Sequence, residues 1–262
     1  MKTRNLVAAL IVTSVLAGAS VLLGVGESLT FSPSEYYILS LGGVSVDVAG
    51  LTQAAEAEGF TLIEYQGNTA VARIGDQPTT ESVDSLLTRS QLLIVDGDRF
   101  LLRVAGQTSS YTVRPSADGL DLVFSPTAEQ TLDDVVAILL DLQGLGIIGN
   151  EVDLGFEAYA KDAQKGPAPP AGAMIESDLY WLTVAEDWHA FAGAKGLNLV
   201  GLRVEIVAEK LPGSEIPTEF ASYVTGESDS LARLLLPIER LVELATSGDV
   251  GLLRQAYEPV AP

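Results

Sequence analysis

Cysteine is absent from the 262 residues. Disulfides, thiolate metal sites and cysteine nucleophiles are therefore excluded, and a stable fold must rest on its hydrophobic core. Histidine is nearly absent as well: His189 stands alone. One imidazole cannot make an H-E-x-x-H pair or any multi-histidine zinc site. Positive charge is scarce, with 15 Lys and Arg against 35 Asp and Glu and a formal net charge of −20. No run of basic residues interrupts that acidity, so the surface repels nucleic-acid phosphates and nucleic-acid binding is excluded. No Asn-x-Ser/Thr triplet occurs, so no N-glycosylation is expected. The acidity suits a chain adapted to concentrated salt, where screening weakens self-repulsion. It equally suits an ordinary acidic exported protein.

What the chain has is apolar residue, 47 % of the total, enough for real cores. The longest apolar run, LVAALIVTSVLAGASVLLGVG at residues 6–26, follows Lys2 and Arg4 and precedes every acidic side chain. As a helix it would span about 31 Å, close to the ~30 Å hydrocarbon core of a bilayer. Ala17-Gly18-Ala19 offers a small-x-small cleavage site before Ser20, yet the apolar run continues beyond it. An uncleaved signal-anchor is the expectation: a transmembrane helix with the N-terminus cytoplasmic and the rest extracytoplasmic. Secretion after cleavage near Ala19 is the alternative. The membrane, through residues 6–26, and other envelope proteins are the expected partners.

Composition divides the remainder. Residues 1–30 form the signal-anchor and juxtamembrane segment, and 31–163 a first domain. The proline-rich stretch QKGPAPPAG opens a linker over 164–173, where proline stops helices and favours extended chain. Residues 174–262 form a second domain. In the first domain YYILSL (36–41) reads as a strand, and Asp47 caps a short helix bearing Val48, Leu51 and Ala55, with Gly59 just past its end. Gln66-Gly67-Asn68 and Asp96-Gly97-Asp98 mark two hairpins. Thr79 or Thr80 caps a second helix with Val83, Leu86 and Leu87 inward. SYTVR and LDLVF give two more strands, a helix spans about 127–143, and a further helical stretch spans about 151–163.

In the second domain DLYWLTV (178–184) reads as a strand and 186–195 as a helix. LNLVGLRVEIVAE and EFASYVT read as strands, and 229–247 as a helix kinked at Pro237. SEYYILSL (34–41) and SDLYWLTV (177–184) share Ser, Tyr and Leu in register. The expected fold class is therefore α+β: a transmembrane helix, then two β-α-β-β-α units of ferredoxin-like order, the first extended by extra antiparallel strands and helices.

Several motifs resemble chemistry. GLGIIG (144–149) is a literal G-x-G-x-x-G, but it follows a helix instead of linking a strand to one, so no cofactor is expected. Gly144 in a left-handed helix end is the simpler reading. GESDS (226–230) falls one glycine short of a nucleophile elbow. Ser228 with His189 and Glu186 could form a hydrolytic set. Ser228 or Asp229 capping a helix, and His189 as a surface residue, are the plainer readings. Asp96, Asp98, Asp118 and Asp121 could converge at hairpin ends on a cation such as Ca²⁺, although Asp-Gly is first a turn former. Aromatic clusters at Tyr36, Tyr37, Tyr180, Trp181 and Trp188 are candidates for a partner surface. The expected function is a non-enzymatic binding or scaffolding role in the cell envelope; an exported hydrolase using Ser228 and His189, or a secreted small-solute binder, are the alternatives.

Overall fold

The structure is a computed structural model that describes residues 10–13, 20–22, 30–79, 81–149, 151–161 and 166–256. The chain divides into two compact units, Met1–Ala163 and Gln164–Pro262.

The first unit contains, in chain order, β1 (Leu10–Thr13), β2 (Ser20–Leu22), β3 (Thr30–Phe31), β4 (Glu35–Gly42), α1 (Val48–Ala57), β5 (Thr61–Gln66), β6 (Thr69–Ile74), β7 (Gln77–Pro78) and α2 (Val83–Leu86). Then follow β8 (Gln91–Asp96), β9 (Arg99–Ala105), β10 (Ser109–Ser116), β11 (Gly119–Pro126), β12 (Gln130–Thr131), α3 (Leu132–Gly144) and β13 (Glu151–Ala160). Nine strands make a mixed sheet in the order β13-β4-β11-β10-β9-β8-β5-β6-β7, and β1 and β2 extend it beyond β13. Neighbours are antiparallel except β5 and β8, which run parallel.

One face of this sheet packs against α1 and α3. Tyr37, Leu39 and Leu41 of β4, Leu120, Leu122 and Phe124 of β11, and Leu102 of β9 pack with Leu51 and Ala55 of α1 and with Val135, Ile138, Leu139 and Leu142 of α3. Strand alternation puts these residues on one side and their neighbours on the other. Asp47 caps α1 by accepting from the Ala49 N–H, and Gly59 follows the helix at φ +81. The Asp134 carboxylate closes the start of α3, accepting from the Thr131 N–H at 2.7 Å and its hydroxyl at 3.0 Å. Those two bonds hold the Asp134 carboxyl below its ordinary range.

The second unit contains α4 (Ser177–Val184), α5 (Trp188–Lys195), β14 (Leu199–Val200), β15 (Arg203–Lys210), a 3₁₀ segment Thr218–Tyr223, β16 (Val224–Glu227), β17 (Leu231–Pro237), α6 (Leu241–Thr246) and β18 (Val250–Gln255). The sheet order is β14-β15-β17-β16, with β18 also paired to β15. Val204, Ile206 and Ala208 of β15 and Ala232, Leu234 and Leu236 of β17 are fully buried, as are Leu179, Leu182, Leu241 and Leu244 of the helices. The opposite face bears a ladder of ion pairs, Arg233–Glu205 at 2.6 Å and Arg254–Glu209 at 3.7 Å.

The expected α+β class with two ferredoxin-like β-α-β-β-α units is thereby corrected to a mixed α/β sheet followed by a unit that opens with two helices. The expected transmembrane helix over 6–26 is corrected too. Residues 10–13 and 20–22 are antiparallel strands, β1 pairing with β13 and β2 with β1, and the rest of that run lies outside the described residues. Ile11, Val12, Thr13 and Val21 are β-branched, and apolar content alone does not separate strand from helix. No helix among the described residues is long and apolar enough to cross a membrane.

Three further segments exchange type. Residues 178–184 are helical because Leu179 and Leu182, both fully buried, are three apart. Residues 151–160 form a strand, with Leu154 and Phe156 alternating against Gly155 and Glu157. Residues 231–237 form a strand that Pro237 ends, so the proline terminates an element where a helix kink was expected. Ser82, where Thr79 or Thr80 was expected, caps α2; Thr80 lies outside the described residues.

The β10–β11 turn meets β4 closely. Gly119 has φ +153, and a Cβ there would lie 2.3 Å from the Leu41 carbonyl oxygen and 3.2 Å from the Gly43 nitrogen. Gly119→Ala must therefore push two central strands apart. The substitution is expected to lower stability by about 2–4 kcal/mol, as strain and core disruption together do, measured by urea denaturation; a loss under about 0.5 kcal/mol would show that the close approach carries no constraint.

Candidate functional site

Ser228, His189 and Glu186 stand on separate segments of the second unit. Ser228 sits exposed in the turn between β16 and β17. Its hydroxyl donates to the Leu231 carbonyl and accepts from the Leu231 N–H, both at 3.2 Å. It caps a hairpin turn, since no helix begins there. His189 lies in the first turn of α5, and Asp187 is the residue that caps that helix, through the Ala190 N–H at 3.0 Å. Glu186 precedes the cap, outside the helix.

The four aspartates lie on two separate turns and their flanking strands. Asp96 is 3 % exposed and lies opposite Arg99 across the β8–β9 ladder. Asp98 faces the same arginine at 3.8 Å. Asp118 is a turn residue whose carbonyl accepts from the Gly43 N–H at 3.1 Å. Among the described residues no three acidic or histidine side chains gather in a way that could hold a metal ion. The glycine motif is a helix end: the Gly146 N–H bonds to the Gln143 carbonyl and the Ile147 N–H to the Leu142 carbonyl. Gly146, at φ +73, takes the left-handed position that the spacing assigned to Gly144.

The aromatics separate by strand parity. Tyr37 belongs to the core, edge-on to Phe31 at 4.9 Å and stacked on Phe156 at 5.5 Å. Its hydroxyl donates to Glu35 at 2.8 Å and accepts from the Ser32 N–H at 2.7 Å. Burial pushes the Tyr37 hydroxyl up to about 12, with Glu35 adding to the rise and the Ser32 bond opposing it. Trp188 is 2 % exposed. Tyr180 and Trp181 lie half-buried on α4.

Tyr36 points the other way. On that face of the large sheet it lies directly across from Tyr159 of β13, the rings stacked at 5.2 Å with 14° between planes. The Tyr159 hydroxyl donates to Glu157 two residues back. On this face Ile38, between Tyr36 and Ser40, is buried, while Ser40, Gly42, Gly155 and Glu157 are exposed. Further along the same face, Arg114 of β10, Asp121 of β11, Ser40 of β4 and Gly155 of β13 stand in one cross-strand row. Arg114 is 1 % exposed, its Nε lies 4.0 Å from Asp121 Oδ2, and the Ser40 hydroxyl donates to Asp121 at 3.3 Å. Loss of hydration raises the Asp121 carboxyl above its ordinary range; Arg114 and Ser40 oppose the rise, and Glu157 adds to it. The result is a patch graded from the buried Arg114 and its Asp121 partner to a half-buried tyrosine pair with Ser40, Gly155 and Glu157 exposed around it. Sequence reading found Tyr36 and Asp121 but missed Arg114, Glu157 and Tyr159; the strict alternation of residues 152–159 was the available signal.

No family model matches the chain, and no curated protein or solved structure matches it either.

A carboxyl whose pKa folding raises binds its proton more tightly in the folded chain. Its contribution to stability therefore falls as pH rises from the unfolded carboxylate value through the raised one. Arg114→Met removes the larger of the two influences that oppose the rise, so Asp121 should shift further up and the loss should steepen. Urea midpoints from about pH 3 to about pH 7 should drop more in Arg114→Met than in the unmodified chain. A difference between the two proteins that is constant with pH would rule out coupling between Arg114 and Asp121.

Proposed function

We propose that this chain is an exported, non-enzymatic binding protein of the cell envelope and that it engages a protein partner through the face of β13 and β4 that bears Tyr36 and Tyr159. Export is supported by the charge asymmetry of the N-terminal segment, Lys2 and Arg4 before an uncharged apolar run. Binding is supported chiefly by one observation: the stacked Tyr36–Tyr159 pair on a face flanked by exposed Ser40, Gly155 and Glu157. Paired tyrosines on rigid strands offer contact area at low entropic cost. A net charge of −20 favours a basic partner and attraction that weakens with salt.

A photoreactive amino acid placed at Ser40 tests this in the source cells, with the same group at Ala137, an exposed position on α3, as the comparison. Discrete adducts are expected from position 40 and not from 137, and they should disappear when Tyr36→Ala and Tyr159→Ala are combined. Adducts at 137 alone, or adducts at 40 indifferent to both tyrosines, would rule the face out.

A further inference from the structure

Residues 166–172 of the second unit read Gly-Pro-Ala-Pro-Pro-Ala-Gly. Residues 166–170 take neither helix nor strand and they lie against Trp181 of α4. The indole Nε1–H donates to the Pro167 carbonyl at 3.1 Å. A Cβ on Gly166 would stand 2.5 Å from Trp181 Cδ1, 2.8 Å from Nε1 and 2.9 Å from Cγ, so the backbone rests on the ring with no room for a side chain. Pro167, Pro169 and Pro170 fix φ near −65°, and Ala168 and Pro169, each preceding a proline, are pushed to extended backbone. Such chain leaves its carbonyls open to outside donors.

Beyond the prolines the chain is tied to the rest of the unit by backbone bonds. The Ala173 N–H bonds to the Pro170 carbonyl at 3.1 Å around Gly172 at φ +88, and Met174 and Glu176 then bond to the backbone of Ala245 and Leu253. The platform beneath is held independently. Lys195 Nζ lies 5.5 Å from the centre of the Trp181 ring, 5.8 Å from that of Phe191 and 3.0 Å from Asp178 Oδ1. The core-facing residues of α4 are Leu179 and Leu182, both fully buried, so Trp181 faces away from the core. The core therefore stays covered whether or not the strap is seated.

An aromatic plate, an indole donor aimed at a carbonyl of extended proline chain, and a glycine where backbone meets ring are the elements by which aromatic grooves take proline-rich peptides. We propose that the Trp181–Phe191–Lys195 surface is a binding site for a proline-rich segment of a partner protein, and that the chain's own Gly166–Pro170 strap occupies it in competition. This site is separate from the strand face of the first unit, and either can fail without the other. A tethered strap competes at an effective concentration of the order of millimolar, so an outside segment binds weakly until the strap lifts.

The test uses the full chain with ¹⁵N-labelled tryptophan and the synthetic peptide Gly-Pro-Ala-Pro-Pro-Ala-Gly. Two indole signals are expected, assigned through Trp181→Phe, with the buried Trp188 signal reporting an intact fold. Gly166→Ala should move the Trp181 signal toward a solvent-exposed position while leaving Trp188 in place. Added peptide should return it, with an apparent affinity about tenfold or more tighter than for the unmodified chain. In calorimetry, Trp181→Phe combined with Gly166→Ala should abolish the heat of binding. A Trp181 signal in Gly166→Ala that ignores millimolar peptide would overturn the proposal, as would an equal response to a peptide with alanine in place of every proline. Return of the signal without peptide, together with a doubled mass, would overturn it in favour of strap exchange between two copies.

Discussion

A strand exposes side chains on two faces, while α1 and α3 cover only one face of the large sheet, and much of this molecule follows from how the second face is satisfied. In the first unit α1 and α3 bury the face that carries Tyr37, Leu122 and Phe124. On the reverse, Ile38, Ile63, Ile94, Leu101 and Val123 are also buried. Arg103 reaches from that side to the Leu87 carbonyl just beyond α2 at 2.6 Å. Charge enters where apolar cover ends, as the row from Arg114 to Ser40. A buried arginine of this kind is tolerable only with a carboxylate and hydroxyl at hand, because an uncompensated ion in low dielectric costs several kcal/mol or more. The second unit meets the same constraint in wetter form, with the exposed ladder of Glu205–Arg233 and Glu209–Arg254.

Cations are few, and they stand where elements join. Arg73 of β6 reaches Glu56 of α1 at 3.3 Å and Glu64 of β5 at 2.9 Å. Lys210 ties the end of β15 to Glu227 of β16 at 2.9 Å, and that bond leads the rise in its pKa. Arg240 lies 4.2 Å over the Phe220 ring, bonds to the Glu219 carbonyl at 3.1 Å and takes both Glu243 oxygens at 2.8 Å. That single guanidinium fixes the 3₁₀ segment against the start of α6. In so acidic a chain each such tie also relieves local repulsion among carboxylates, so it does more than a lone surface pair would.

What was legible in the sequence was local. The turns at Gly67 and Gly97 require positive φ and sit between apolar runs, so both hairpins could be placed, as could α1 between Asp47 and Gly59. What was not legible depended on distant partners. Residues 178–184 hold good strand formers, and only the buried spacing of Leu179 and Leu182 decides for helix. Tyr36 and Tyr37 are chemically the same, and which of them faces outward depends on how β4 meets β11 and β13. The Pro-rich stretch was readable as a linker by composition, but its seat on Trp181 is a tertiary contact that composition cannot carry.

The position of β4 has a kinetic consequence. Its two neighbours are β11 and β13, pairing Tyr37 with Phe124 and Tyr36 with Tyr159, so a strand that begins at residue 35 waits for partners that begin only at Gly119 and Glu151. Until then the apolar side of β4 has no sheet to join, while the local hairpins β5–β6 and β8–β9 can already form. Loop closure over such distances slows the productive encounter. In a chain emerging from the ribosome β4 thus stays unpaired until β11 has followed it out, after the hairpins that lie between the two in sequence have had time to close.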